Sequence, residues 1–173
     1  PVIPPAVQAG QLVLPSTFST PSFYSVCFDT PFSVAPVVFA LPTNVGSHPA
    51  ALRIRSITAN GFEIAVVEPD GMDGPHASQT VDFIAMAPGN YTLSGGDRLE
   101  VGSLSTTAVQ RGSGVSGTES WGSINFTNSF SATPAVVAMI QTMSNEPPGL
   151  PGPPAPFESS VPWLTTAIKD VTT

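Results

Sequence analysis

Phe28-Asp29-Thr30-Pro31-Phe32-Ser33-Val34-Ala35-Pro36-Val37-Val38-Phe39-Ala40 returns later in the chain as Phe126-Thr127-Asn128-Ser129-Phe130-Ser131-Ala132-Thr133-Pro134-Ala135-Val136-Val137-Ala138. Both stretches read Phe-x3-Phe-x3-Pro followed by an apolar run, at an offset of 98 residues (126 − 28). The physics is the same in each. A strand delivers alternate side chains to a core, a turn follows, and proline heads the next strand, where no ladder donor is required. Two copies are too few for a solenoid, which needs about three or more repeats, so the pattern predicts two tandem β-sandwich units. A fainter echo sets Val7-Gln8-Ala9-Gly10 against Val109-Gln110-Arg111-Gly112.

Outward from the first motif the chain alternates at period two. Ala51 to Thr58 turns Leu52, Ile54 and Ile57 inward, Ala59-Asn60-Gly61 is a hairpin signal, and Phe62 to Glu68 alternates again. Asp70 to Pro75 reads as loop, Val81 to Met86 as strand, and Tyr91–Leu93 and Arg98–Val101 flank the turn Ser94-Gly95-Gly96-Asp97. No stretch has a 3.6-residue period. The fold class is therefore all-β, with antiparallel sandwich units.

The second copy is interrupted by a Pro-rich insert, Glu146 to Pro156, which suits an extended surface loop or a docking polyproline segment. Trp163 to Thr173 matches Leu52 to Thr58, with Val171-Thr172 against Ile57-Thr58, and the Gly-Phe step that follows in the first copy has no second counterpart. The second unit thus reads as incomplete. Three explanations stay open: a truncated chain, a different closure, or a strand supplied by a neighbouring chain. For the last, residues 1–14 are the candidate donor, with Val2, Ile3, Leu12, Val13 and Leu14 as assembly residues and Val171 on the receiving side. The expected boundaries are a Pro-rich arm or strand at 1–21, a first unit at 22–108, a Gly/Ser-rich connector at 109–120 and the incomplete unit at 121–173.

Composition narrows the function. Charged residues are 10% of the 173, with one lysine, Lys169, and a net charge of −7. Phosphate binding needs clustered cations, and Arg53 with Arg55 is the one close pair, so nucleic acid and anionic membrane surfaces are not the expected partners. The longest apolar runs fall well short of the ~20 residues that span a bilayer. The chain opens on Pro1 with no leader visible, as though one had been removed or the chain were a fragment. Cys27, the one cysteine, is expected as a buried small hydrophobe in Ser25-Val26-Cys27-Phe28.

At Phe28-x3-Phe32-x3-Pro36-Val37-Val38 and Ile57-Thr58-x2-Gly61-Phe62 the chain resembles the H-type lectin domain, a short antiparallel β-sandwich. The stretch from Val81-Asp82-Phe83 through Gly89-Asn90-Tyr91 to Arg98-Leu99-Glu100-Val101-Gly102 is similar to one in large MSHA-pilus-associated bacterial surface proteins carrying such units. The resemblance implies an extracellular or cell-surface location, bacterial in origin, with adhesion, carbohydrate binding and trimer formation as its known associations.

Few residues suggest catalysis. His48 and His76 have no His or Cys partner at metal spacing. Asp70-x2-Asp73 with Gly71 and Gly74 is a faint calcium-loop pattern lacking the full ligand series, and no other cofactor is expected. No Ser sits in a Gly-x-Ser-x-Gly elbow, and no carboxylate pair stands out. Asn90-Tyr91-Thr92 and Asn125-Phe126-Thr127 fit the N-glycosylation pattern. A sugar site wants an aromatic face with polar company, which nominates Tyr91 and Trp121 with Arg53, Arg55 and Asp82 as ligand-binding residues. Tyr91, beside a Gly-rich turn, is expected to be exposed. The expectation is a non-enzymatic adhesion module that binds glycan or a surface protein and self-assembles. The alternative is a subunit of an extracellular fibre completed by strand donation.

Overall fold

The structure is a computed structural model and describes residues 6–16, 23–43, 51–67, 77–108, 120–142 and 166–173. Among them are eight strands and no helix: β1 (Val7–Leu14), β2 (Tyr24–Cys27), β3 (Val37–Pro42), β4 (Ala51–Thr58), β5 (Gly61–Val67), β6 (Gln79–Met86), β7 (Gly89–Thr92) and β8 (Arg98–Val101). All pairings are antiparallel, in three sheets ordered β1-β6-β3, β2-β5-β4 and β7-β8. The fold is all-β, as the alternation requires.

The first two sheets form a sandwich around one core. β6 contributes Val81 and Ala85, β5 contributes Phe62, Ile64 and Val66, and the outer strands add Leu14, Val38, Ala40, Leu52 and Ile54. Ile64, Val38, Val81 and Ala85 are fully excluded from water. Burying an aliphatic side chain of this size stabilises by roughly 1.5–3 kcal/mol. Phe28 and Phe32 enter the same core, edge to face with centroids 4.9 Å apart, and Phe28 also meets Phe62 at 5.8 Å. The β4–β5 hairpin fixes their backbone, since Phe28 N–H donates to Asn60 O and Phe32 N–H to Ala59 O, both at 2.9 Å.

A bulge explains why Ile57, and not Ser56, turns inward. Arg55 pairs with Glu63 and Thr58 with Gly61, so two residues of β4 oppose Phe62 alone. Ser56 takes the left-handed conformation at φ 52°, and Ile57 packs against the core. Across the sheet Gly61 is required by space, because a Cβ there would lie 2.1 Å from the Val26 carbonyl oxygen.

By spatial grouping, unit 1 comprises Pro1–Ala87 and Ala135–Val171, and unit 2 comprises Pro88–Pro134 and Thr172–Thr173. The grouping falls elsewhere than the boundaries expected from sequence. Of the two readings for the N-terminal stretch, arm or strand, residues 7–14 take the strand: they are β1, laddered to β6 from Val7↔Met86 to Leu14↔Gln79. Residues 135–171 of the second copy belong with unit 1.

Two substitutions test this packing. Ile64→Ala should lower unfolding free energy by about 2–5 kcal/mol in urea denaturation. Gly61→Ala should also destabilise, because the obstructing atom is backbone; a wild-type midpoint for Gly61→Ala would refute the close approach.

Candidate functional site

The repeat is visible as geometry. Phe126 and Phe130 stack edge to face with centroids 5.2 Å apart and planes at 76°, the same interplanar angle as Phe28 and Phe32. Asp170 lies at φ 51°, matching Ser56, and among described residues these are the two non-glycine positions with positive φ. Their offset is 114 (170 − 56), the same as Val171 against Ile57.

A polar clamp repeats as well. In unit 1 Gln8 on β1 accepts Asp29 N–H at Oε1 (3.1 Å) and donates from Nε2 to Thr30 O. In unit 2 Glu100 on β8 accepts Thr127 N–H at 2.9 Å and Asn128 N–H at 2.9 Å, at the two residues after Phe126. The hydrogen bonds make Leu99-Glu100-Val101-Gly102 a counterpart of Val7-Gln8-Ala9-Gly10; the echo at Val109–Gly112 lies outside the described residues. The signal was present in sequence as Gln-x-Gly against Glu-x-Gly. Asn90 completes the cluster, donating to Thr127 Oγ1 at 3.0 Å and accepting from Asn128 Nδ2 at 3.0 Å. It joins parts of the two glycosylation-pattern triplets.

The sequence-nominated ligand residues are divided between the two units. Arg53 is 5% exposed and donates to Leu52 O at 3.2 Å. Arg55 is bound to Glu63 at 2.7 Å, with its guanidinium 3.5 Å above the Phe23 ring, so charge pairing and cation–π attraction both engage it. Asp82, on β6 in the other sheet, accepts from Gln11 Nε2 at 2.7 Å. Tyr91 and Trp121 belong to unit 2. Tyr91 is half-buried rather than exposed, its strand β7 being laddered to β8, and Trp121 is exposed.

The assembly candidates divide by face. Leu14 is buried and Leu12 packs on the core, so both serve their own sandwich, while Val13 points outward at 58% exposure. Val171 is half-buried; Val2 and Ile3 lie outside the described residues, as do His48, Asp70, Asp73, His76 and Trp163. Cys27 is exposed, not buried, because Val26 takes the inward position and the next side chain of a strand must face out. Among the described residues no three His, Cys, Asp or Glu side chains are grouped to hold a metal ion, and no helix is long and apolar enough to cross a membrane.

What sequence reasoning missed is the outer face of the β1-β6-β3 sheet. Period two and the register place Val7, Met86 and Val37 in one row, Ala9, Ile84 and Phe39 in the next, and Gln11, Asp82 and Leu41 in a third. Leu41 is 76%, Val13 58%, Val7 44% and Ile84 38% exposed. The one ionisable side chain on these rows, Asp82, is already satisfied by Gln11. The free edge of β3 is closed: Val38 N–H donates to Gln141 Oε1 (2.8 Å), Gln141 Nε2 donates to Val38 O (2.9 Å), and Ala40 N–H donates to Met139 Sδ (3.4 Å).

Hydrogen bonds from Asn128 and Thr127 hold the Glu100 carboxyl below the usual carboxylate range, and Arg55 does the same for Glu63. A depressed folded pKa means the clamp's stabilisation is present above the ordinary value and is lost as pH falls through the depressed one. The Glu100 carboxyl should therefore titrate by NMR below a free glutamate. Glu100→Gln should abolish the acid-range shift of the Thr127 and Asn128 amides; persistence of that shift would assign it to another group.

No family model and no curated protein matches this chain. Among solved structures it is similar to the crystal structure of the Pseudomonas phage phi297 tailspike gp61, at 17% identity and a TM-score of 0.40, over 47% of this chain and 15% of that one.

Proposed function

We propose that this chain is a non-enzymatic adhesion module of an extracellular or cell surface that associates with further copies of itself through the outer face of the β1-β6-β3 sheet. One observation carries the reading: three successive cross-strand rows of that face are dominated by Val, Ala, Ile, Leu, Phe and Met, of which Val7, Ile84 and Leu41 are exposed while Val37 is buried. Scattered apolar side chains need no explanation, but a contiguous patch marks an interaction site. A second copy is the occupant the face fits best. The low charge of the chain supports it, as does the satisfied Asp82–Gln11 pair, which leaves no unpaired ion to desolvate. Lateral growth by strand addition at β3 is opposed by the Gln141 carboxamide, which favours the sheet face over that edge. The resemblance to H-type lectin units of bacterial surface proteins supports the adhesive role.

Sedimentation velocity tests it. The chain should sediment as an oligomer at micromolar concentration, and Ile84→Lys with Val13→Lys should sediment as a monomer. Both positions are on the surface, so thermal stability should change by no more than about 0.5 kcal/mol. A wild-type monomer at every concentration would remove the proposal.

A further inference from the structure

The 173 residues contain two Phe-x3-Phe turns and one Gly-Phe-x-Ile strand, Gly61-Phe62-Glu63-Ile64. In the first copy that strand is what β2 ladders to, through Cys27↔Gly61, Val26↔Phe62, Ser25↔Glu63 and Tyr24↔Ile64. In unit 2 the matching residues 122–125 make no ladder among the described residues. Ile124 is 60% exposed, whereas Val26 packs on the core. Phe126 and Phe130 are half-buried, whereas Phe28 and Phe32 are 8% and 4% exposed. At Gly10 a Cβ would strike the Phe83 ring at 2.7 Å, whereas at Gly102 nothing lies within 4 Å. In unit 1, taken by itself, residues 166–171 repeat β4 as far as the left-handed residue yet carry no ladder either, and Ile168 is 45% exposed where Ile54 is 1%.

We infer that residues 122–125 are a docking edge for an added antiparallel strand with the chemistry of Gly61–Val66. The first copy supplies the register. Glycine stands opposite Asn125, phenylalanine opposite Ile124, a polar residue opposite Ser123, and isoleucine or valine opposite Gly122. The glycine is needed for the reason that Gly61 is: a side chain there meets the carbonyl oxygen of the facing strand. The phenylalanine closes over Phe126 as Phe62 closes over Phe28 at 5.8 Å. Main-chain hydrogen bonds supply affinity in such strand addition, and alternate side chains supply specificity. Residues 7–14 do not serve as this strand, because β1 is committed to β6 and has no Gly-Phe step.

The probe is a synthetic peptide of residues 58–67 of this protein, added to the full chain carrying Trp163→Phe, so that Trp121, next to the docking edge, is the one tryptophan reporting. The expected result is a saturable blue shift of Trp121 emission together with slowed amide exchange at Ser123, Ile124 and Asn125. Peptides carrying Phe62→Ser or Gly61→Val should bind about tenfold more weakly or worse. Amide exchange on the unsubstituted chain gives the same readout should Trp163→Phe fail to fold. No saturable change, equal binding by the Phe62→Ser peptide, or altered exchange at Tyr24–Cys27 in place of 123–125 would each overturn the inference. The Ile84→Lys chain should respond to the peptide as wild type does, which separates this edge from the self-association face.

Discussion

Every outer strand of the sandwich has one ladder partner, and that partner is β5 or β6. β2 and β4 hang on β5, β1 and β3 hang on β6, and no outer strand pairs with another. The two central strands also hold much of the dry core, Ile64, Val81 and Ala85 among it. Hydrogen bonding and burial are therefore concentrated in the same two segments. Backbone groups left without a partner in a buried setting are costly, so outer segments deprived of a centre stay outside any sheet.

That dependence explains the contrast between the copies. The second Phe-x3-Phe turn forms its edge-to-face pair and receives its clamp, because both are local to the turn and to β8. The left-handed residue before Val171 also forms, being a property of a few residues of backbone. Among the described residues, what has no counterpart is the ladder of β2 and β4 on β5, which is long-range. Local devices, the β7-β8 hairpin among them, form without the central strands.

Much of this was legible in the sequence. Period two and the Asn60-Gly61 turn place β4 and β5 to within about a residue, and the Phe-x3-Phe-x3-Pro repeat survives as matched ring geometry. Three things were hidden. β1 stays open between arm and strand because Pro-rich flanks mask an alternation that only its partner, 71 residues away at Gln11 and Asp82, gives meaning to. The Gln8–Glu100 correspondence was obscured because a neutral amide and a carboxylate do the same job with different letters. The apolar sheet face could not be read because Val13 and Leu12 are equally hydrophobic, and register alone decides which of them water sees.

Amide hydrogen exchange resolved by residue tests the central claim most directly, that β5 and β6 are the scaffold on which all else hangs. Amides of Phe62, Ile64, Val81 and Ala85 should be the slowest in the protein and open only with global unfolding. Those of Ser123, Ile124, Val136 and Val137 should exchange orders of magnitude faster. Protection at the latter four equal to that at Ile64 would mean that the second copy holds a sheet of its own, and the account would fail.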